Sequence, residues 1–333
     1  MNQIKKVLIT GITGFVGSHL ADYILANFPE VQIFGLARWR SPKDNIRHIL
    51  DKVTLEFGDL LDSSSLKTVL SKQRPDVIFH LAAQSYVPYS FTAPVATLTT
   101  NVIGTCNLLE VVKELKFASD YDPIIHMCSS SEVYGQVRED EVPITEDVPL
   151  RPASPYAVSK VAEDRLAFQY WLSWQIKTIT TRMFTHTGPR RGEVFVVSNF
   201  AKQIAAIEAG LVAPVIKVGN LESIRTFLDV RDAVKAYWLL VNKCPPGEVY
   251  NIGGVETMTV GEMLNRLLKL SKVKDINVEV DRNRLRPSDV TLQIPCIDKF
   301  TEATGWKPEI KFEKTLEDTL DYWRDFFRRE RSS

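Results

Sequence analysis

The chain has 333 residues, 44% hydrophobic and 25% charged, with 41 basic residues balanced by 41 acidic ones. That length can bury a large core in one big domain or two, and zero formal net charge gives no bulk attraction to nucleic acid or an anionic membrane. No window is read as reaching the roughly 18 apolar residues of a membrane span, and the opening MNQIKKVLIT lacks the apolar run of a secretory signal.

The first half alternates short apolar runs with helical spacing. Strands are predicted at KVLIT (6–10), QIFGLA (32–37), VTLEFGD (53–59), DVIFHLAA (76–83) and PIIHMCSS (123–130). Between them SHLADYILANF and NLLEVVKELKF place apolar residues three and four apart, as helices do. Strand–helix alternation of this kind implies parallel strands joined by crossover helices, an α/β doubly wound sheet of Rossmann type. TITTRMF (178–184) adds a strand after a helix that starts near Tyr156. Beyond residue 185 the pattern loosens, with a helix at SNFAKQIAAIEAG and short strands at VIKVG and INVEV, while VYNIGG (249–254) reads as a strand returning to the main sheet. The expected organisation is therefore a dinucleotide-binding domain over 1–184, with returning segments near 226–254, and a smaller interleaved substrate-binding domain over 185–330. Cys106, Cys128, Cys244 and Cys296 form no C-x-x-C pair and are expected to be reduced, mostly buried thiols of a cytoplasmic protein.

LITGITGFVGSHL sets Gly11, Gly14 and Gly17 between the first strand and the first helix. Glycines there let the backbone turn tightly and approach a pyrophosphate seated on the helix N-terminus. At the end of the second strand, LARWR offers Arg38 and Arg40 with no carboxylate before Asp44. An acid at that place serves NAD, whereas guanidinium grips a 2′-phosphate, so the expected cofactor is NADP. In RPASPYAVSK, Ser154 can cap a helix whose first position is Pro155, which puts Tyr156 and Lys160 on one face. A nearby ammonium favours phenolate, so Tyr156 is expected to titrate well below its ordinary ~10 and to exchange protons with a sugar hydroxyl.

Taken together, the triple-glycine turn, DVIFHLAAQS, SSSEVYG and SPYAVSK resemble the extended short-chain dehydrogenase/reductase family over essentially the whole chain. Within it, SSSE resembles the Ser-Thr-Ser-Glu strand end of GDP-mannose 4,6-dehydratases, with Ser131 where other sugar-nucleotide dehydratases have Asp. The resemblance implies Ser130 as the hydroxyl, Glu132 as the acid/base and Tyr156 with Lys160 as the proton carrier and its cation. It further implies a cofactor site of Gly11, Thr13, Gly14, Phe15, Val16, Gly17, Arg38, Arg40, Asp59, Leu60, Leu81, Ala82, Ala83, Tyr156, Lys160, His186 and Arg191. The last of these reaches the cofactor through a subunit contact in that family. Ser85, Thr185, Asn220, Arg225, Arg286 and Asp289 are implied on the sugar-nucleotide side, and no metal is expected.

Two features depart from the dehydratase pattern. Thr185 stands where the family has an asparagine that helps hold the substrate phosphate, and the glycine turn reads Gly-Phe-Val-Gly where dehydratases have Gly-Gln-Asp-Gly. VGNLESIRTFLDVRD and TGWKPEI also resemble GDP-4-keto-6-deoxymannose reductases. The expected activity is 4,6-dehydration of GDP-mannose or of GDP-manno-heptose. A 4-keto reductase or sugar-nucleotide epimerase is the first alternative, and a nonenzymatic NADP-binding regulator the second. The apolar patterns of TNVIGTCNLLEVVKEL and AEDRLAFQYWL exceed what one sheet face needs. With the resemblance, they imply a homo-oligomer, dimer or tetramer, that binds a GDP-sugar and neither nucleic acid nor membrane.

Overall fold

Seven parallel strands form the central sheet of the computed structural model, which describes residues 3–285 and 290–332. In chain order the first six are β1 (Lys6–Thr10), β2 (Gln32–Ala37), β3 (Thr54–Phe57), β4 (Val77–His80), β5 (Ile124–Ser130) and β6 (Thr178–Met183). The seventh, Val249–Ile252, pairs with β6 at the sheet edge. Spatially the order runs β3, β2, β1, β4, β5, β6 and then that edge strand. The doubly wound α/β fold is thus present, and its order reverses between β1 and β4, which opens a crevice at their carboxyl ends.

Helices cover both faces of the sheet's centre, so β1, β2 and β4 are largely apolar, whereas β6 buries the polar residues Thr178, Thr180, Thr181 and Arg182. Successive side chains of β1 point to opposite sides. Val7 and Ile9 join Leu20, Ile24 and Val234 in one core; Leu8 joins Leu70, Leu108 and Val112 in the other. A third core lies away from the sheet, where the helices Val196–Glu208, Val260–Lys269 and Phe312–Ser332 enclose Phe200, Leu264, Leu316 and Leu320.

Two sequence expectations need correction. The continuous helical run Pro94–Ser119 is 26 residues long and apolar enough, by length and composition, to cross a membrane. Here its inner side packs on the sheet through Leu108, Leu109 and Val112, while Val95, Ile103 and Phe117 are exposed. The run escaped the sequence reading because polar Thr99, Thr100 and Asn101 break it, at a π-helical turn over Thr99–Ile103. The four thiols are free, but only Cys244 is fully buried; the other three are half-buried.

Candidate active site

A cleft of about 1580 Å³ runs along the carboxyl ends of the strands. Its floor is the turn after β1. Gly11 has φ of +73°, and a Cβ there would lie 3.1 Å from the Ala82 backbone. Gly17 is more constrained, since its Cβ would meet the Gly11 carbonyl oxygen at 2.4 Å. The sequence therefore holds glycine where the turn after β1, the first helix and the chain after β4 crowd together, which leaves the helix N-terminus open to a diphosphate.

The neighbouring wall is fixed from below by a buried chain. The Thr10 hydroxyl accepts from the backbone N–H of Leu81 and Ala82 at 3.0 and 3.1 Å. Its own proton must then go to His80 Nδ1, 3.0 Å away, which leaves His80 Nε2–H to donate to Thr105 Oγ1 at 3.0 Å. Neutral His80 suits this arrangement, because burial, then the Lys160 charge, push it down to about 3. Asn101 ties the next stretch, accepting from Gln84 N–H at 2.8 Å and donating to Ser159 Oγ at 2.8 Å.

Strand β5 ends in the serine–glutamate run. Ser130 caps a short 3₁₀ turn over Ser131–Tyr134 and accepts from Glu132 N–H at 3.2 Å. That turn carries the half-buried Glu132 side chain to the cleft wall. Tyr134 and Gly135 serve the fold. The Tyr134 hydroxyl donates to Asn251 Oδ1 at 2.7 Å and accepts from Arg182 at 2.9 Å. Gly135 has φ of +60°, and a Cβ would fall 1.7 Å from the Arg151 carbonyl oxygen.

The helix Pro155–Trp174 brings Tyr156 and Lys160 to the same place. Ser154 caps it by accepting from Ala157 N–H at 3.0 Å, and Pro155 opens it. Asp164 then pins it to β6 by accepting from Arg182 Nε at 2.8 Å, with both side chains buried. Lys160 Nζ donates to the Cys128 carbonyl at 2.9 Å and to Glu163 Oε2 at 2.8 Å. The Tyr156 ring centroid lies 6.0 Å from Lys160 Nζ.

The expected lowering of Tyr156 does not appear. Burial raises the phenol above its ordinary value, outweighing the downward pull of Lys160 and Ser130. Part of the reason is Glu163, which offsets the Lys160 charge and itself raises Tyr156. Lys160 nevertheless stays protonated: burial opposes its charge, but Glu163 and Tyr156 win.

All of the sequence-derived cofactor residues line this cleft except Arg40, whose guanidinium instead lies 4.5 Å over the exposed Trp39 ring. Arg38 does line it. His186 stacks on Phe15 with centroids 5.8 Å apart, and its Nε2 is enclosed without a partner among the described residues. The Arg191 guanidinium sits 3.5 Å over Phe195 and 4.9 Å from Phe15 of its own chain, so its approach to the cleft needs no second subunit. Burial lowers its pKa to about 10.

On the substrate side Ser85, Thr185, Asn220 and Arg225 all reach the cleft. Arg225 is also a clamp, donating to Gln293 Oε1 at 2.7 Å and to the Val290 carbonyl at 2.8 Å. Arg286 and Asp289 fall outside the described residues. Sequence reading missed Thr10, His80, Asn101 and Glu163. The only signal was a polar residue in an apolar run, which commonly marks no more than a satisfied core group.

The glycine cradle, the enclosed His186 nitrogen and the cationic Arg38 and Arg191 fit an anionic dinucleotide. Comparison with known proteins agrees. The family model for GDP-mannose 4,6 dehydratase matches residues 8–319. A GDP-6-deoxy-D-mannose reductase of Pseudomonas aeruginosa is 33% identical over 326 residues, spanning 98% of this chain and 99% of the relative. A GDP-mannose 4,6-dehydratase of Yersinia enterocolitica is 32% identical over 347 residues, spanning 93% and 91%. Among solved structures, RMD from Pseudomonas aeruginosa complexed with NADPH superposes with a TM-score of 0.83 at 32% identity, covering 97% of this chain and 99% of that one. On the match to the family model and the near-complete span of these relatives, the chain belongs to the GDP-mannose 4,6-dehydratase family.

Proposed function

We propose that this enzyme is a 4,6-dehydratase of GDP-mannose or GDP-manno-heptose that uses NADP. The observation that carries the reading is Glu132, set by the Ser130 cap on the wall of the cleft that also holds Tyr156 and Lys160. A reductase needs only the hydroxyl, the tyrosine and the lysine.

In this mechanism Ser130 and Tyr156 bind the 4-hydroxyl of the sugar, and Tyr156 takes its proton as C4 becomes a ketone. The bound dinucleotide supplies a hydride acceptor and later a hydride donor. The ketone acidifies the C5 hydrogen. Glu132 removes that proton and delivers it to the C6 hydroxyl, which leaves as water; as C6 takes up hydride, Glu132, reprotonated from solvent, returns a proton to C5. Lys160, with two of its three donors engaged by Cys128 and Glu163, keeps one for the cleft. Arg38 supports NADP as the form bound, because a guanidinium on the cleft wall favours a 2′-phosphate.

Reduction of a GDP-4-keto-6-deoxy sugar is the second reading. It is favoured by Phe15 and Val16 in the glycine turn and by the 33% identical reductase relative. Replacing Glu132 with Gln separates the two. General acid–base groups contribute roughly 10²–10⁴ in rate, so Glu132→Gln should slow dehydration by about that factor and stop solvent deuterium entering C5. Near wild-type dehydration by this variant would make Glu132 structural.

A further inference from the structure

Glu163 is 1% exposed, and one of its oxygens bonds the Lys160 ammonium at 2.8 Å while the other, Oε1, has no partner among the described residues. Burying a carboxylate is costly, and a half-satisfied one more so. Nothing in the proposed reaction uses it directly. It does touch the cation on which the proton carrier depends. We propose that Glu163 is a positioning residue: through its bond to Lys160 it fixes where that ammonium points and sets how strongly the ammonium draws the proton from Tyr156.

The electrostatics support the geometry. An ionised Glu163 opposes Lys160 and holds the Tyr156 phenol up. A protonated Glu163 leaves the ammonium uncompensated, and the phenolate gains. Burial lifts the Glu163 carboxyl to about 7 against the pull of Lys160, so its charge changes across neutral pH. As pH falls through that value, Glu163 loses its charge, the Lys160 ammonium acts uncompensated and Tyr156 becomes more acidic, which offsets part of the rise in proton concentration. Phenolate content thus varies less with pH than in a lone tyrosine–lysine pair.

Burial moves the histidines, thiol and phenol around this pair away from that range. From β4 and β5, burial pushes His80 and His126 down to about 3. Cys128 on β5 and Tyr237 on the helix Val230–Lys243 are both raised by burial. On Glu163's own helix, Asp164 is tied to Arg165 and to Arg182 of β6.

The inference rests on Tyr156 as proton carrier and not on which reaction follows. Carbon-13 tyrosine NMR of the full chain tests it without turnover, with the Tyr156 signal assigned by its loss in Tyr156→Phe. In wild type the phenol should stay protonated up to its ordinary value of 10.0. In Glu163→Gln it should become about tenfold more acidic, the scale of a nearby charge. An unchanged midpoint in folded Glu163→Gln overturns the proposal. If that variant does not fold, carbon-13 glutamate labelling of wild type decides. The Glu163 carboxyl, assigned with Glu163→Asp, should titrate near neutrality and move the Tyr156 signal with it. A carboxyl that titrates only in the ordinary acidic range, or without moving Tyr156, also overturns the proposal.

Discussion

Replacing Thr10 with Val keeps the shape of a fully buried side chain and deletes one hydroxyl. That hydroxyl serves three partners: the N–H groups of Leu81 and Ala82 and the Nδ1 of His80. His80 is 2% exposed, so its orphaned nitrogen bears the desolvation cost of a buried group, about 1–3 kcal/mol. Leu81 and Ala82 line the cleft, where water can reach them, so each should cost about 0.5–1 kcal/mol. The sum is about 3 kcal/mol. Urea unfolding followed by circular dichroism should show that loss as a lower midpoint with an unchanged slope. Dinucleotide affinity should fall as well, because the same two N–H groups hold the cofactor wall. A loss below about 1 kcal/mol with unaltered affinity would refute the network and the histidine tautomer deduced from it.

Arg38→Ala should weaken NADP binding far more than NAD binding; equal losses by calorimetry would remove the 2′-phosphate assignment. Four histidines titrate below their ordinary 6.5 chiefly through burial: His19 at about 4, and His80, His126 and His186 at about 3. Their folded forms resist protonation that the unfolded chain accepts, so this stability is complete above pH 6.5 and lost as pH falls toward 4 and then 3. Each contributes a slope of about 1.4 kcal/mol per pH unit inside that window, and urea midpoints that stay flat from pH 6.5 to 5 would contradict it. Val95, Ile103 and Phe117 on one helical run, with Val158, Phe168 and Leu172 on the helix packed beside it, leave an exposed apolar face. Two copies should associate there, and light scattering that finds a monomer at micromolar concentration would exclude it.

The inner strands were legible because burial on both faces writes β1, β2 and β4 as short apolar runs, and Lys6–Thr10, Gln32–Ala37 and Val249–Ile252 begin where the sequence places them. Tyr156, Lys160 and their cap were legible because a helix start has its own chemistry. What the sequence hides is competition between partners. It cannot tell that Arg40 lies on Trp39 while Arg38 faces the cleft, since both are arginines two residues apart. Nor can it tell that Glu163, rather than Asp164, meets Lys160, because that depends on which one β6 claims through Arg182. The acidity of Tyr156 was hidden in a similar way: the lysine was visible, whereas the burial that raises the phenol most, and the Glu163 carboxylate that adds to it, come only from the fold.

The most direct measurement of the proposed activity is the mass of the product formed from GDP-mannose, and in parallel from GDP-manno-heptose, with catalytic NADP and no added reductant. Dehydration predicts a product lighter by one water, formed over many turnovers without net change in the near-ultraviolet absorbance of the cofactor. Unchanged starting material there, together with stoichiometric consumption of NADPH by a GDP-4-keto-6-deoxy sugar, would contradict the dehydratase reading and establish the reductase.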